Sequence, residues 1–328
     1  SINYYLHQLK QGPDGKLHIS RGYSPEYPKQ PTPNPDCNID LALLRWGCQT
    51  LLDICDRLKI NDPLIPKWKD TLANLTPYPT DKNGLMISAS VPFAESHRHF
   101  SHLLMVYPLY IMNPEQPENR DLVIKSLNYW MGMPKALQGY SYTGAASISA
   151  LLGKGNDAAM YLNKLLDTKV HPNTMYTEAG PVIETPLSGA ASIHDMLLTS
   201  WGDRIRVFPG VPDSWKDVTF YHLRAQGAFL VSAVRKGGQT QFVQIESLAG
   251  EPCRVWTDMR NPVTDSSVPV QSAGDGVVEI GLKKGESVTL YPKGSHPDLT
   301  IAAVAEQKDR CNYWGFNESS KGTSRQTE

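Results

Sequence analysis

The feature that most constrains the fold is a change of hydrophobic periodicity near Asp203. Before that residue apolar side chains recur at helical spacing, and after it they alternate as in β-strands. Helices followed by a block of strands favour two segregated units over a single parallel sheet. We therefore predict an α+β multidomain protein, with helix and loop to about residue 203 and mostly antiparallel strands in residues 204–292.

Apolar spacing and end signals predict the individual helices. Residues 39–58 place six apolar side chains on one helical face. Asn38 is the predicted N-cap, and Pro63 follows the end of the pattern. The first ten residues also read as helix and not as a signal peptide. Further helices are predicted at residues 64–73, 100–112, 118–130, 144–152, 156–167 and 188–201.

The strands are predicted from β-rich runs and turn residues. Residues 229–235 and 241–247 flank the sequence Lys-Gly-Gly-Gln, which indicates a β-hairpin. Residues 253–257, 277–282 and 287–291 add short strands. From His296 the chain is polar, and we expect its end to be disordered.

Composition argues against several classes of function. The formal net charge is −1, so there is no electrostatic case for binding nucleic acid or an anionic membrane. No apolar run approaches the ~20 residues that a membrane helix needs. The five cysteines are odd in number, and no pair has zinc-ligand spacing. The sequence therefore implies no cofactor, no metal and no disulfide framework, and the cysteines do not decide the compartment.

Residues 93–108 concentrate basic and titratable side chains ahead of an apolar run. His97, Arg98, His99 and His102 occupy six positions. Such groups need hydrogen-bond partners or solvent, because their unpaired burial is costly. One interpretation is a helix entrance whose histidines bond neighbouring carbonyls. A functional cluster is the other, and a metal site is the least favoured because no carboxylate stands beside it at ligand spacing.

Glu26 and Glu184 are the two carboxylates that could act in catalysis. Glu26 lies in a proline-rich segment that cannot be helical, and nearby tyrosines predict a desolvated carboxyl with a raised pKa. Glu184 precedes Thr185 and Pro186, which we predict as the N-cap and first residue of a helix. The positive end of that helix would favour an ionised Glu184. Both features also occur with purely structural roles.

Four motifs in one order resemble glycoside hydrolase family 95, the inverting α-L-fucosidases and their α-L-galactosidase relatives. The motifs are GYSPE at residues 22–26, HRHFSHLLMVYP at 97–108, IETPLSGAASIHDMLLTS at 183–200 and RVFPGVPDSW at 206–215. The resemblance implies that residues 1–203 are the C-terminal part of an (α/α)6 toroid, the helical catalytic domain. It further implies a sandwich-like β-domain at residues 204–295, followed by a partly disordered tail at 296–328.

The resemblance also implies roles for individual residues. Glu26 matches the family's general acid, and Glu184 falls where the family has its catalytic aspartate. Arg98 and His99 match its sugar-contacting pair, and His97 and Tyr23 are predicted to join them. The sequence departs from the pattern at residues 184–187, where Glu-Thr-Pro-Leu replaces Asp-Gly-Asn-Phe. No position matches the two asparagines that hold the attacking water in the family.

The predicted activity is therefore removal of a terminal α-linked L-fucose or related sugar with inversion. The departures leave two alternatives open: a catalytically impaired sugar-binding relative, and a toroid glycosidase or phosphorylase of different specificity. The expected partners are a glycan substrate and either an N-terminal part of the same protein or a second copy. The resemblance implies a periplasmic or extracellular location.

Overall fold

The computed structural model describes residues 1–171, 175–178, 180 and 182–305. Helices dominate the described chain up to residue 197, and two short 3-10 helices cover Ser101–Leu103 and Pro134–Ala136. The α-helices are α1 (Ile2–Gln8), α2 (Asn38–Leu58), α3 (Ile65–Asn74), α4 (Pro117–Met131), α5 (Gly139–Leu151), α6 (Gly155–Lys169) and α7 (Glu184–Leu197).

Strands dominate from residue 198 onwards. The strands are β1 (Leu9–Gln11), β2 (Leu17–Ile19), β3 (Thr80–Asp81), β4 (Gly84–Leu85), β5 (Leu198–Trp201), β6 (Arg204–Val207), β7 (Val218–Ala225), β8 (Phe229–Lys236), β9 (Gln239–Ser247), β10 (Cys253–Trp256), β11 (Pro262–Val263), β12 (Val270–Gly274), β13 (Val277–Ile280) and β14 (Ser287–Pro292). The pairs β1–β2 and β3–β4 form small sheets of their own within the helical part, which were not predicted.

Two five-stranded sheets make up the C-terminal part. Their strand orders are β12-β13-β10-β6-β5 and β11-β14-β9-β8-β7. All pairs are antiparallel except β10 with β6. Side chains from both sheets, such as Val207 and Val231, belong to one buried core. This sandwich-like arrangement after a helical domain confirms the predicted α+β class.

The hairpin predicted around residues 236–239 is confirmed. Strands β8 and β9 form it, and the two glycines make its turn. Lys236 of β8 pairs with Gln239 of β9, which leaves a two-residue loop. Gly237 and Gly238 have φ of 58° and 80°. Positive φ at both central positions is the geometry that matches the twist of two antiparallel strands, and glycine adopts it without strain.

The helix predicted over residues 100–112 is wrong. Only the short 3-10 helix forms there, and turns follow it. Pro108 explains the difference, since proline lacks the N–H that a helix interior needs and disfavours helical geometry in the residue before it. The apolar run is still buried, with Leu103, Met105 and Val106 fully inaccessible to solvent.

Two predicted helix starts also need correction. Cys37 caps α2, while Asn38 lies in its first turn and donates to the carbonyls of Pro79 and Met86. Helix α7 begins at Glu184 and not at Ser188, so Thr185 lies inside the helix and is not its N-cap. The helix ends at Leu197, and strand β5 replaces its predicted last turn.

The described chain divides into two compact units, one up to Gly144 and one from Ala145. The first has a core in which buried residues of α2, such as Leu41 and Leu44, pack with Ile19 and Trp68. The domain boundaries 1–203, 204–295 and 296–328 stay predictions, and residues 306–328 of the predicted tail lie outside the described residues. None of the described helices is both long and apolar enough to cross a membrane.

Candidate active site

Glu26 lies at the tip of a tight turn of residues 24–27, which we call the Glu26 turn. Tyr27 N–H donates to Ser24 O at 3.3 Å, and Pro25 and Glu26 are the two central residues. Glu26 has a φ of 56°. Proline followed by a residue of positive φ is the arrangement of a type II turn, which normally takes glycine or asparagine at that place. A glutamate therefore occupies a backbone position that disfavours it.

One oxygen of the Glu26 carboxylate receives three hydrogen bonds. Arg98 donates to Oε2 from Nε at 3.1 Å and from Nη2 at 2.9 Å. His99 lies with Nε2 at 3.0 Å from the same oxygen. The Glu26 side chain is 56% exposed, against 18% for Arg98 and 23% for His99. The carboxylate is thus open to solvent on one side and held by two partly buried donors on the other.

These donors overturn the expectation of a raised pKa at Glu26. The hydrogen bond from Arg98 is the largest influence and lowers the pKa of the carboxyl below its ordinary value. Loss of hydration is the second influence and raises the pKa, while the hydrogen bond with His99 lowers it further, so the net shift is downward. The flanking tyrosines do not desolvate the group as the sequence suggested. Glu26 is therefore ionised at neutral pH.

Residues 93–102, the histidine segment, carry Arg98 and His99 and are held by buried side chains. Tyr27 Oη accepts the N–H groups of Ala94 at 2.8 Å and Glu95 at 3.0 Å. Trp130 Nε1 donates to His97 O at 2.8 Å, and Ser141 Oγ donates to Arg98 O at 2.7 Å. Helices α4 and α5 therefore help to fix the backbone from which the arginine and histidine reach Glu26.

The two buried histidines of this segment have structural surroundings. His97 Nε2 lies 3.2 Å from Pro25 O and donates to it. Burial lowers the pKa of His97, so it is neutral. His102 is fully buried and stacks on Phe93 with ring centroids 4.2 Å apart, and burial lowers its pKa to about 3. Among the described residues no group of histidine, cysteine and acidic side chains is arranged to hold a metal ion.

The aromatic side chains around this segment are either core or surface residues. Tyr23 is 64% exposed beside the Glu26 turn. Trp130 is fully buried, so it is a core residue and not a platform for sugar. Tyr140 is partly buried, with its ring 5.7 Å from His99 and 5.3 Å from Phe100. Tyr140 is thus a partly accessible ring beside His99, and Tyr23 is an exposed ring that precedes the Glu26 turn in sequence.

Glu184 lies in the second compact unit, at the first turn of α7, and is exposed. The residue after it, Thr185, is buried and donates from Oγ1 to Glu178 Oε2 at 2.7 Å. Sequence reasoning missed Glu178, because no local pattern shows which side chain Thr185 bonds. Sequence reasoning also missed Gln30, whose side chain bonds the Glu26 turn.

The described chain thus places a solvent-accessible carboxylate, bonded by arginine and histidine, in a helical part that precedes a β-sandwich-like part. Two family models of glycoside hydrolases match the sequence. The Glycosyl hydrolase family 95 catalytic domain matches residues 1–197, and the Glycoside hydrolase family 95 C-terminal domain matches residues 199–290. The chain belongs to glycoside hydrolase family 95. We therefore expect its helical part to be a portion of an (α/α)6 toroid.

Among solved structures, the chain is similar to one described as "Putative kojibiose phosphorylase from human microbiome", with 12% sequence identity and a TM-score of 0.48. The match covers 88% of this chain and 42% of that one, so this chain spans less than half the length of that structure. No curated protein matches the chain in sequence.

Proposed function

We propose that this chain contributes the catalytic carboxylates of an inverting exo-glycosidase that removes a terminal α-linked L-fucose or a related sugar. Glu26 is the proposed general acid and Glu184 the proposed general base. Arg98, His99, His97 and Tyr23 are the proposed sugar-binding residues. The observation that carries the proposal is the Glu26 carboxylate, which is exposed on a disfavoured backbone position and held by Arg98 and His99.

The proposed mechanism begins when the hydrogen bonds donated by Arg98 and His99 pass from one acceptor, Glu26, to another, the sugar. A guanidinium and an imidazole can donate equally well to sugar hydroxyls. When the sugar accepts the hydrogen bonds of Arg98 and His99, Glu26 loses the interactions that lower its pKa. The excluded water raises the pKa further, and the carboxyl can then carry the proton that the leaving oxygen takes. Substrate binding thereby converts an ionised Glu26 into a general acid.

The role of Glu184 follows from its place at the start of α7. A base that activates water must be accessible to it, and the Glu184 side chain is exposed at that place. In an inverting enzyme the base lies on the face of the sugar opposite the acid, with about 6.5–9.5 Å between the two carboxyl groups. Glutamate is one methylene longer than the family's aspartate, so the activated water would be placed differently.

A second candidate is a relative that binds sugar without turnover. The lowered pKa of Glu26 favours it, because an acid that stays ionised cannot protonate the leaving oxygen. Under this alternative Arg98 and His99 hold Glu26 permanently, and the carboxylate accepts hydrogen bonds from sugar hydroxyls. The two candidates make opposite predictions about product formation, so one assay separates them.

The assay uses phenyl α-L-fucoside, whose leaving oxygen needs a proton, with and without inorganic phosphate, followed by ¹H NMR of the released sugar. Hydrolysis with inversion first yields the β-anomer of free fucose, whereas phosphorolysis yields a sugar phosphate only in the phosphate arm. Glu26→Gln and Glu184→Gln should each lower kcat by roughly 10²-fold or more. Glu118→Gln, an exposed carboxylate in the first turn of α4, is the matched control. Saturable binding without product would establish the second candidate.

The proposed partners are a glycan and, for full activity, either another part of the same protein or a second copy of this chain. We propose no nucleic-acid or membrane partner, in keeping with a net charge of −1. The water-holding asparagines of the family match no position here, so the proposed hydrolysis would draw that function from elsewhere.

A further inference from the structure

We propose that Gln30 is a positioning residue for Glu26, whose side-chain amide holds the Glu26 turn in the conformation that presents the carboxylate. This role rests on the proposed function of Glu26 as general acid. Gln30 is partly buried, and its amide bonds the backbone at both ends of the turn. It therefore acts on the carboxylate through the backbone.

The turn needs a restraint because its own sequence disfavours it. Glu26 has a φ of 56°, a conformation in which an ordinary side chain crowds the backbone. Such a residue persists only where the surrounding structure holds it. The backbone bond from Tyr27 N–H to Ser24 O is long, at 3.3 Å, so it is a weak closure for a turn of this kind.

The amide of Gln30 supplies three hydrogen bonds to the backbone of that turn. Its Oε1 accepts the N–H of Ser24 at 2.8 Å. Its Nε2 donates to Ser24 O at 2.6 Å and to Tyr27 O at 2.8 Å. The two carbonyls belong to the first and last residues of the turn, so one NH₂ group joins its ends. The turn needs both the donor and the acceptor of the amide. Among side chains of this length, only glutamine supplies both.

A second amide fixes the orientation of the first. Asn34 is buried and donates from Nδ2 to Gln30 Oε1 at 2.9 Å. Asn34 Oδ1 in turn accepts the hydroxyls of Ser88 and Ser90. The chain of bonds makes Oε1 the acceptor and Nε2 the donor at Gln30. The amide therefore cannot flip without breaking the bonds on both sides.

The opposite side of the turn is bonded to the histidine segment. His97 donates to Pro25 O at 3.2 Å, and the hydroxyls of Ser24 and Ser101 lie 2.6 Å apart. The Glu26 turn is thus held between Gln30 and the segment that carries Arg98 and His99. Loss of Gln30 frees one side of the turn and leaves the other attached. The carboxylate should then lose its alignment while the proposed sugar-binding residues of the histidine segment stay in place.

The kinetic test compares Gln30→Met, which keeps the length and removes every hydrogen bond, with Gln30→Glu, which keeps the acceptor and loses both donors. The substrates are aryl α-L-fucosides with leaving groups from phenol to dinitrophenol. A misplaced acid matters only when the leaving oxygen needs a proton. We expect kcat to fall roughly tenfold or more for phenol and less than about threefold for dinitrophenol, with KM unchanged.

Gln241→Met is the matched control, since the Gln241 amide also donates to two backbone carbonyls, those of Lys236 and Gln239. It should leave both substrates unaffected. An equal loss on phenyl and dinitrophenyl substrates in Gln30→Met would overturn the positioning role, because general damage to the site does not depend on the leaving group. A normal rate on both substrates would overturn it as well.

A denaturation cycle tests the restraint without using activity. Glycine adopts a φ of 56° freely, so Glu26→Gly should have a higher urea midpoint than Glu26→Ala, which loses the same bonds to Arg98 and His99 but keeps the disfavoured backbone position. Gln30→Met should lower the midpoint clearly in the wild-type background and by less than half as much in the Glu26→Gly background. Equal shifts in both backgrounds would show that Gln30 does not restrain Glu26. If the wild-type protein fails to cleave any fucoside, the proposed function fails, and this cycle still decides the restraint.

Discussion

At the residue scale, the site depends on how two donors set the charge of one carboxylate. The Arg98 guanidinium approaches Glu26 Oε2 with two nitrogens, and His99 adds a third donor. A carboxylate that accepts such bonds is stabilised in its charged form. A folded-state pKa below the ordinary value gives stability that is present above that value and is lost as the pH falls through the folded pKa.

We predict that Arg98→Met raises the pKa of Glu26 towards its ordinary value, because the largest lowering influence is removed. A ¹³C NMR titration of labelled glutamate carboxyls would measure the change, with Glu26→Gln identifying the resonance. The acid-dependent loss of stability due to Glu26 should weaken in the same variant. Arg98→Lys keeps the positive charge and loses the paired guanidinium donors. The pKa of Glu26 in this variant should therefore lie between its values in the wild type and in Arg98→Met. An unchanged titration in Arg98→Met would contradict the assignment.

The second prediction at the residue scale concerns His102, whose charged form is positive where that of Glu26 is negative. Burial lowers its pKa from 6.5 to about 3, so the folded state keeps it neutral where the unfolded state protonates it. Stability should therefore fall as the pH drops from about 6.5 towards 3, by at most about 1.4 kcal/mol per pH unit from this group. Urea titrations of His102→Gln should show a flatter slope across that window.

At the element scale, the packing of α5 and α6 depends on how closely the backbone of residues 210–211 approaches them. Helix α6 begins at Gly155, where a Cβ atom would lie 2.3 Å from Val211 O. Gly210 is similarly close to α5, with a Cβ position 2.7 Å from Ala150 Cα. Real side chains do not tolerate such distances, and backbone atoms cannot turn aside as the end of a side chain can. The loop of residues 210–211 can therefore lie against these helices only because positions 155 and 210 are both glycine.

We predict that Gly155→Ala destabilises the protein by about 1–3 kcal/mol, the range typical of overpacked sites. Alanine is the better helix former by about 1 kcal/mol, but this gain is smaller than the cost of moving two backbone segments apart. Urea denaturation would measure the difference. Gly180→Ala is the control, because no atom of the described residues lies within 4 Å of its Cβ position. A stabilised Gly155→Ala would show that the segments separate easily.

At the scale of the whole molecule, helix α2 exposes three large apolar side chains among its polar ones. Trp46, Ile54 and Leu58 recur at multiples of four residues and are 46%, 42% and 68% exposed. Residues at this spacing lie on one face of a helix. Three exposed large apolar side chains on one helix support the proposal that another part of the protein or a second copy covers α2.

We predict that the isolated chain self-associates in sedimentation velocity runs at micromolar concentration. Replacing Trp46, Ile54 and Leu58 by glutamine should shift it towards monomer, because the exposed apolar area is removed. Met160→Gln, on the exposed face of α6, tests whether one exposed apolar side chain elsewhere has the same effect. A well-behaved monomer with full glycosidase turnover would contradict this prediction.

The sequence by itself determined the class of fold, most of the elements and the family. Hydrophobic periodicity and turn residues act over a few neighbours along the chain, which is why α2, α4, α6 and the β8–β9 hairpin follow from them within a residue or two at each end. The four motifs identified the family for the same reason, since each is a contiguous stretch. Pro108 was visible in the sequence, and its effect on residues 100–112 is local too.

Only the tertiary structure decided the state of the site. Arg98 lies 72 positions from Glu26, and no local pattern shows that its guanidinium meets that carboxylate. The sign of the Glu26 pKa shift therefore differed from the prediction, which considered only the flanking tyrosines. The positive φ of Glu26 and the bonds from Gln30 also appear only when the turn closes. Charge and strain depend on neighbours in space, while periodicity depends on neighbours in sequence.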